Sequence, residues 1–249
     1  MKPPTTDGAL GMRESAGTAL VADRGLLGRT STAERVAAVL RTRISEGFFE
    51  PGERLSEQEI VDALAVSRNT LREAFRLLTH ERLLQHEMNR GVFVRRLAVE
   101  DVVDLYRVRK LIECAAIRSL TGAVALDRVA LAVAEGDRAA RRDRWQDLGT
   151  ANIHFHQAIA ALGESPRIDE LLKGVFAELR LVFHEMADPR RFHERYLTRN
   201  HEILELLRAG DYHAAEARLS DYLDDAERQL VGAYEAKRVA GDPGTSARR

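Results

Sequence analysis

Apolar residues return at helical spacing between about Ser31 and Glu46, at Val36, Leu40 and Ile44, before Gly47 and Pro51-Gly52 stop the run. A first helix is expected there. Ser56 followed by Glu59 has the form of a capping box, and Ile60, Ala63 and Leu64 supply the apolar stripe of a short second helix. Ser67 then caps a third helix that turns Leu71, Ala74, Phe75 and Leu78 toward a core and leaves Arg68, Asn69, Arg72 and Arg76 on the other side. Two short β-prone runs, Leu83 to Met88 and Val92 to Arg96, flank Asn89-Arg90-Gly91, where Gly91 is free to take positive φ. The pattern predicts a winged helix-turn-helix of three helices and a β-hairpin over residues 31–97.

From Val99 to about Tyr234 the periodicity is helical throughout, with breaks near Thr121-Gly122, Gly163 to Pro166, Asp188-Pro189 and Gly210. About six helices and no sheet are expected, so the fold class is mainly α, with an all-α helical bundle over residues 98–237 behind the winged unit. Residues 1–30, with Pro3, Pro4 and several glycines but no compact apolar stretch, are read as a flexible arm. The Gly, Pro, Ser and Arg-rich end, residues 238–249, is read as a disordered tail.

Composition narrows the function classes. The single cysteine, Cys114, excludes a disulfide framework or a cysteine-based zinc site, and no apolar run approaches the roughly 20 residues that span a bilayer. A cytoplasmic protein with no membrane partner is expected. Lys and Arg number 38 against 39 Asp and Glu, a formal net charge of −1, which argues against coating nucleic acid by bulk charge but leaves room for a small basic docking face.

The first turn of the third helix has the chemistry of such a face. Arginine bonds guanine O6 and N7 in bidentate fashion and asparagine pairs with adenine, and Arg68, Asn69 and Arg72 stand where a recognition helix makes those contacts. The hydroxyls of Ser67 and Thr70, beside the positive end of the helix dipole, suit phosphate. A charged helix face is by itself more often just solvated. Here the capped helix pair and the hairpin favour a docking surface.

Pro51-Gly52, Arg54-Leu55-Ser56-Glu57, Ser67-Arg68-Asn69-Thr70-Leu71-Arg72-Glu73-Ala74 and Asn89-Arg90-Gly91-Val92-Phe93-Val94 together resemble the GntR family of bacterial regulators over about residues 31–97. The resemblance implies a homodimer whose two recognition helices read a short palindrome in double-stranded operator DNA while Arg90 and Gly91 of the wing reach the minor groove. Gln58 stands where the family often has arginine, which puts one phosphate or base contact in doubt.

The bundle resembles the FCD ligand-binding domain of the FadR subfamily through Arg109-Lys110-Leu111-Ile112-Glu113, Phe155-His156, Asn200-His201-Glu202-Ile203-Leu204 and Ala209-Gly210-Asp211 through Tyr222-Leu223. Arg109 falls in the stripe Val102, Leu105, Arg109, Ile112, Ala116, and a guanidinium turned inward needs an anion. Glu113, one turn on, is one candidate. The carboxylate of an effector held by the planar fork of Arg109 is the other. Asn152 and His156 share a face, His201 lies beside Leu197 and Leu204 on a later helix, and convergence of these groups is expected. Many FCD domains bind a divalent metal through an aspartate and three histidines, and the resemblance carries those positions to Asn152, His156, His201 and Tyr222. Asparagine and tyrosine are weaker ligands than the residues they replace, so the expectation divides between a zinc-like ion on Asn152, His156 and His201 and a metal-free pocket in which Arg109, His156, His201 and Tyr222 contact the effector. His154, His184, His193 and His213 are read as structural or solvated.

The expected function is that of a DNA-binding transcription regulator of repressor type, controlled by a small carboxylate effector in the helical domain. An enzyme is the alternative, a metal-dependent hydrolase fused to a DNA-binding module. The chain has no nucleophile elbow, phosphate loop or His-Glu-x-x-His run, so no catalytic residues are assigned. A structural DNA protein without an effector fits poorly with a bundle carrying inward polar groups.

Overall fold

The computed structural model describes residues 31–186 and 189–241. The N-terminal arm and residues 242–249 lie outside them. Helix α1 (Thr32–Ser45) begins at Ser31, whose hydroxyl accepts from the Glu34 amide while the Glu34 carboxylate accepts from the Ser31 amide, and it buries Val36, Ala37, Leu40 and Ile44. Helix α2 (Glu57–Leu64) starts at Ser56, whose hydroxyl accepts from the Glu59 amide at 3.4 Å, and α3 (Arg68–His80) starts at Ser67, whose hydroxyl accepts from Thr70 at 3.1 Å. The turn between α2 and α3 is made by Ala65 at φ 49°, ψ 47°. A Cβ is unfavourable in that left-handed region, so Ala65→Gly is expected to raise the unfolding free energy by about 0.5–1 kcal/mol in urea titrations, the relief of strain exceeding the added chain entropy.

Strands β1 (Leu84–Glu87) and β2 (Gly91–Val94) pair antiparallel from Leu84↔Val94 to Glu87↔Gly91, which forms the wing. Gly91 sits at φ 114°, which favours glycine, and a Cβ there would stand 3.1 Å from Nε of Arg54 and oblige that side chain to shift slightly. The hairpin has a third participant that the alternation does not announce. The amides of Gly52 and Leu55 donate to the carbonyls of Val94 and Val92, and Val94 returns a bond to Glu53, laying residues 52–55 along the outer side of β2.

Beyond the wing come α4 (Val99–Arg118), α5 (Asp127–Ala140), α6 (Trp145–Ala161), α7 (Pro166–His184), α8 (Pro189–Arg208) and α9 (Tyr212–Gly241). The bundle has six helices among the described residues, and the anticipated breaks fall between them. One further break, between α5 and α6, was not anticipated. It lies in Arg141-Arg142-Asp143-Arg144, where Asp143 takes φ 53° without a glycine or proline to signal it. Helix α9 runs on to Gly241, so residues 238–241 are helical and the expected tail can begin only after them. Helices α5 and α6 pack along each other, α4 packs on α9, and α7 reaches α1 of the winged unit. No helix among the described residues is long and apolar enough to cross a membrane.

The two units are joined by charge. Arg95, just after β2, bonds Asp101 at 2.6 Å and also reaches Glu178 of α7, while Arg96 bonds Glu185 and the Pro51 carbonyl, each at 2.9 Å. Nε2 of His184 stands 2.9 Å from the carbonyl of Ser45 at the end of α1.

A candidate recognition helix and a buried polar cluster

Burial of Leu71, Ala74, Phe75 and Leu78 fixes the rotation of α3 and so presents Arg68, Asn69 and Arg72 to solvent, as the periodicity requires. The Thr70 hydroxyl is tied to Ser67 at 2.8 Å. Arg68 rests on the side-chain oxygen of Gln58, and Arg72 stands 3.7 Å from Glu57, both on α2. Gln58 is therefore a support for Arg68 rather than an empty position. On the wing, Arg90 pairs with Glu87 and lies 5.4 Å over the Phe93 ring, beside Gly91. These exposed contacts are weak enough for a phosphate or base to displace.

In the bundle, Arg109, Glu113 and His156 are 1%, 0% and 1% exposed. Nε of Arg109 donates to one Glu113 oxygen at 2.9 Å, and Nδ1 of His156 lies 2.6 Å from the other. The guanidinium also lies 4.7 Å over Tyr106 and 5.4 Å over Phe176, contacts that favour a planar cation. Burial pushes the Glu113 carboxyl up, but Arg109 and then His156 outweigh it, and the net shift is downward. His156 is held down by burial first, with Arg109 adding and Glu113 opposing. Glu113 is thus anionic and His156 neutral, with its proton on Nδ1 toward the carboxylate and a lone pair on Nε2. Both candidates for the anion beside Arg109 had been open; Glu113 fills that place along one edge of the fork.

Next to this triad, Oδ1 of Asn152 accepts from Tyr222 Oη at 2.9 Å and from Asn200 Nδ2 at 2.8 Å, and the Tyr222 and His156 rings stand edge to face at 4.8 Å. His201 is a correction. Its imidazole is on the surface, 2.9 Å from Asp137, while the preceding residue, Asn200, turns inward. The reason is helix rotation: Phe192, Tyr196, Ile203 and Leu207 define the buried stripe of α8, and Asn200 belongs to it.

The groups that do converge are not those of a zinc site. Asn152 has both oxygen lone pairs engaged, burial raises Tyr222 well above its ordinary value so that it keeps its proton, and His156 is the one imidazole present. No group of three His, Cys, Asp or Glu able to hold a metal occurs among the described residues. What the cluster does leave is three buried polar atoms without partners: Nη2 of Arg109, Nε2 of His156 and Oδ1 of Asn200.

Comparison with known proteins agrees with this division. Residues 32–94 match the model of bacterial regulatory proteins of the gntR family, and residues 104–225 match the FCD domain. A crystal structure of a candidate GntR transcriptional regulator from Rhodococcus sp. RHA1 is 52% identical, with TM-score 0.79 over 82% of this chain and 100% of that one. The Nta operon transcriptional regulator of Aminobacter aminovorans is 44% identical over 70 residues, 28% of this chain and 33% of its own length. The HTH-type transcriptional repressor RspR of Escherichia coli (strain K12) is 24% identical over 200 residues, 79% of this chain and 88% of the relative. The first curated relatives are matched over about a third of their length, between 31% and 35%. A winged unit matched from Thr32 to Val94, a helical bundle matched from Asp104 to Asp225, and a solved relative aligned over its whole length make this chain a member of the GntR family of bacterial regulatory proteins, with an FCD domain as its bundle.

Proposed function

We propose that the chain is a transcription regulator of FadR-like architecture that binds operator DNA through α3 and the wing, and that it is not an enzyme. The observation that supports this is the exposed row Arg68, Asn69 and Arg72 at the capped N-terminus of α3, set between α2 and the hairpin. On an operator selected from random sequence, Arg68→Ala or Arg72→Ala is expected to cost about 1–3 kcal/mol of specific binding and to relax one base position per half-site. Uniform weakening on every sequence would reassign that residue to phosphate, and unchanged binding would reject α3 as the reading helix. Reading a palindrome requires a twofold homodimer. Sedimentation should therefore give twice the 27.9 kDa chain mass.

The effector reading rests on the three partnerless atoms of the cluster around Arg109. Nη2 of Arg109 offers a charged donor, while Nε2 of His156 and Oδ1 of Asn200 are acceptors. Such a set suits a small carboxylate that also carries a hydroxyl or ammonium donor, and it does so without a metal. Tyr222 and Asn152, bonded to each other, border the cluster. A thermal-shift comparison of 2-hydroxy and 2-amino carboxylates with the plain acids, in chelator and in zinc, tests this. The substituted acids should stabilise the protein more than the plain acids, by the same margin in chelator and in zinc; Arg109→Gln should abolish that margin, and His201→Ala should leave it intact. A response that requires zinc would reject the metal-free pocket.

A further inference from the structure

Buried and half-buried arginines among the described residues meet carboxylates: Arg41 bonds Glu81, Arg95 bonds Asp101, Arg109 bonds Glu113 and Arg199 bonds Asp225. Arg180, on the face of α7 turned toward the winged unit, departs from this. Its guanidinium donates to the Thr150 hydroxyl at 2.6 Å and has no acidic side chain at ion-pair distance among the described residues. Asp147, the nearest acid to influence it, is itself bonded to Arg144 at 2.6 Å.

Arg180 lines a cleft of about 500 Å³ between α1 of the winged unit and helices α6, α7 and α8 of the bundle. His193 is also part of its lining, 2% exposed, with an Nδ1 that has no partner. The placement of that ring is built into α6. A Cβ on Gly149 would stand 2.8 Å from Nε2 of His193, so a helix-interior glycine, ordinarily unfavourable by about 0.5–1 kcal/mol, makes room for the imidazole. Phe183 and Met186 give the cleft an apolar wall, and His184, bonded to the Ser45 carbonyl, lies where the two units meet.

We propose that this cleft is a second ligand site, separate from the bundle core, which takes a small organic carboxylate on Arg180 and Thr150, with His193 Nδ1 as a further hydrogen-bond partner and Phe183 and Met186 against its apolar part. An unpaired guanidinium in a partly dehydrated setting gains more from an anion than one on the open surface. Burial, with Arg180 adding, holds His193 down to about 3, so the ring is neutral and, in the tautomer with its proton on Nδ1, donates one N–H to a bound carboxylate without a charge of its own. A ligand seated there touches α1 and α7 at once and would fix the winged unit against the bundle at the His184 contact.

Benzoate is a suitable probe because it joins one carboxylate to one apolar ring. Titration calorimetry on the full chain is expected to show one benzoate per protomer, and hydrogen exchange should slow at the end of α1, residues 42–47. Arg180→Gln should weaken binding by at least about tenfold, the loss of one charge-assisted contact, and Thr150→Val should weaken it severalfold if Arg180→Gln does not fold. Arg109→Gln should leave the benzoate affinity unchanged. Absence of binding at millimolar benzoate, or binding that survives both cleft substitutions, would overturn the site. Loss of binding in Arg109→Gln alone would send benzoate to the bundle core, rejecting this site while leaving the bundle reading standing.

Discussion

Glu113→Gln should lower the unfolding free energy by about 3–5 kcal/mol, because it leaves the Arg109 guanidinium buried without its counter-charge. The amide keeps the shape of the carboxylate and one acceptor oxygen, so packing is not what is lost. Arg109 stays charged at every accessible pH, and at 1% exposure it has no water to turn to. The double replacement Arg109→Met with Glu113→Leu should recover most of that loss, since a dry apolar pair is often as stable as a buried ion pair. Urea titrations of wild type, single and double variants test both statements. A double variant as unstable as Glu113→Gln would mean that the pair itself is strongly stabilising. If stability returns while the response to carboxylates does not, the charge is kept for recognition.

A second large effect is expected with acid. His193 is held down to about 3, by burial first and Arg180 second, from an ordinary value of 6.5. Its folded value is depressed, so the unfolded chain binds the proton first and stability falls as pH drops from about 6.5 toward 3. Between pH 7.5 and pH 5 this one group should cost about 2 kcal/mol. His156 and His184 are also held down, burial being the first cause in each, and they add in the same sense. Glu178, which burial pushes up, opposes the trend near its own range. Denaturant titrations at the two pH values should show the loss, and His193→Gln should remove about 2 kcal/mol of the difference. A wild-type stability flat from pH 7.5 to 5 would contradict the neutral burial of these rings.

The helices of both units were legible because their apolar stripes are regular, and those of the winged unit also because Ser31, Ser56 and Ser67 mark their starts. The exposed row Arg68, Asn69 and Arg72 needed only the rotation of α3. The bundle site was harder. Asn200 and His201 each lie one turn from apolar neighbours, and a shift of one residue turns a helix by about 100°, enough to exchange inside for outside. The aromatic pair Phe192 and Tyr196, four residues apart and followed by Asn200 at the same spacing, is the signal that distinguishes them. Residues 52–55 gave no strand signal, since Pro51 and Gly52 read as a turn and their pairing comes wholly from β2. His184 and His193, read as structural or solvated, gain their places from residues distant in the chain, the Ser45 carbonyl that His184 bonds and the space that Gly149 leaves beside His193.

The closure of the cluster around Arg109 also governs time. With Arg109, Glu113 and His156 all at 1% exposure or less, an incoming molecule has no open mouth to enter and must wait for the helices to part. The observed association rate then rises with concentration only until opening becomes the slow step, and levels off there. The same barrier slows escape. A protein built this way would respond to a sustained change in effector level and pass over brief fluctuations, a filter set by the breathing of the bundle rather than by affinity.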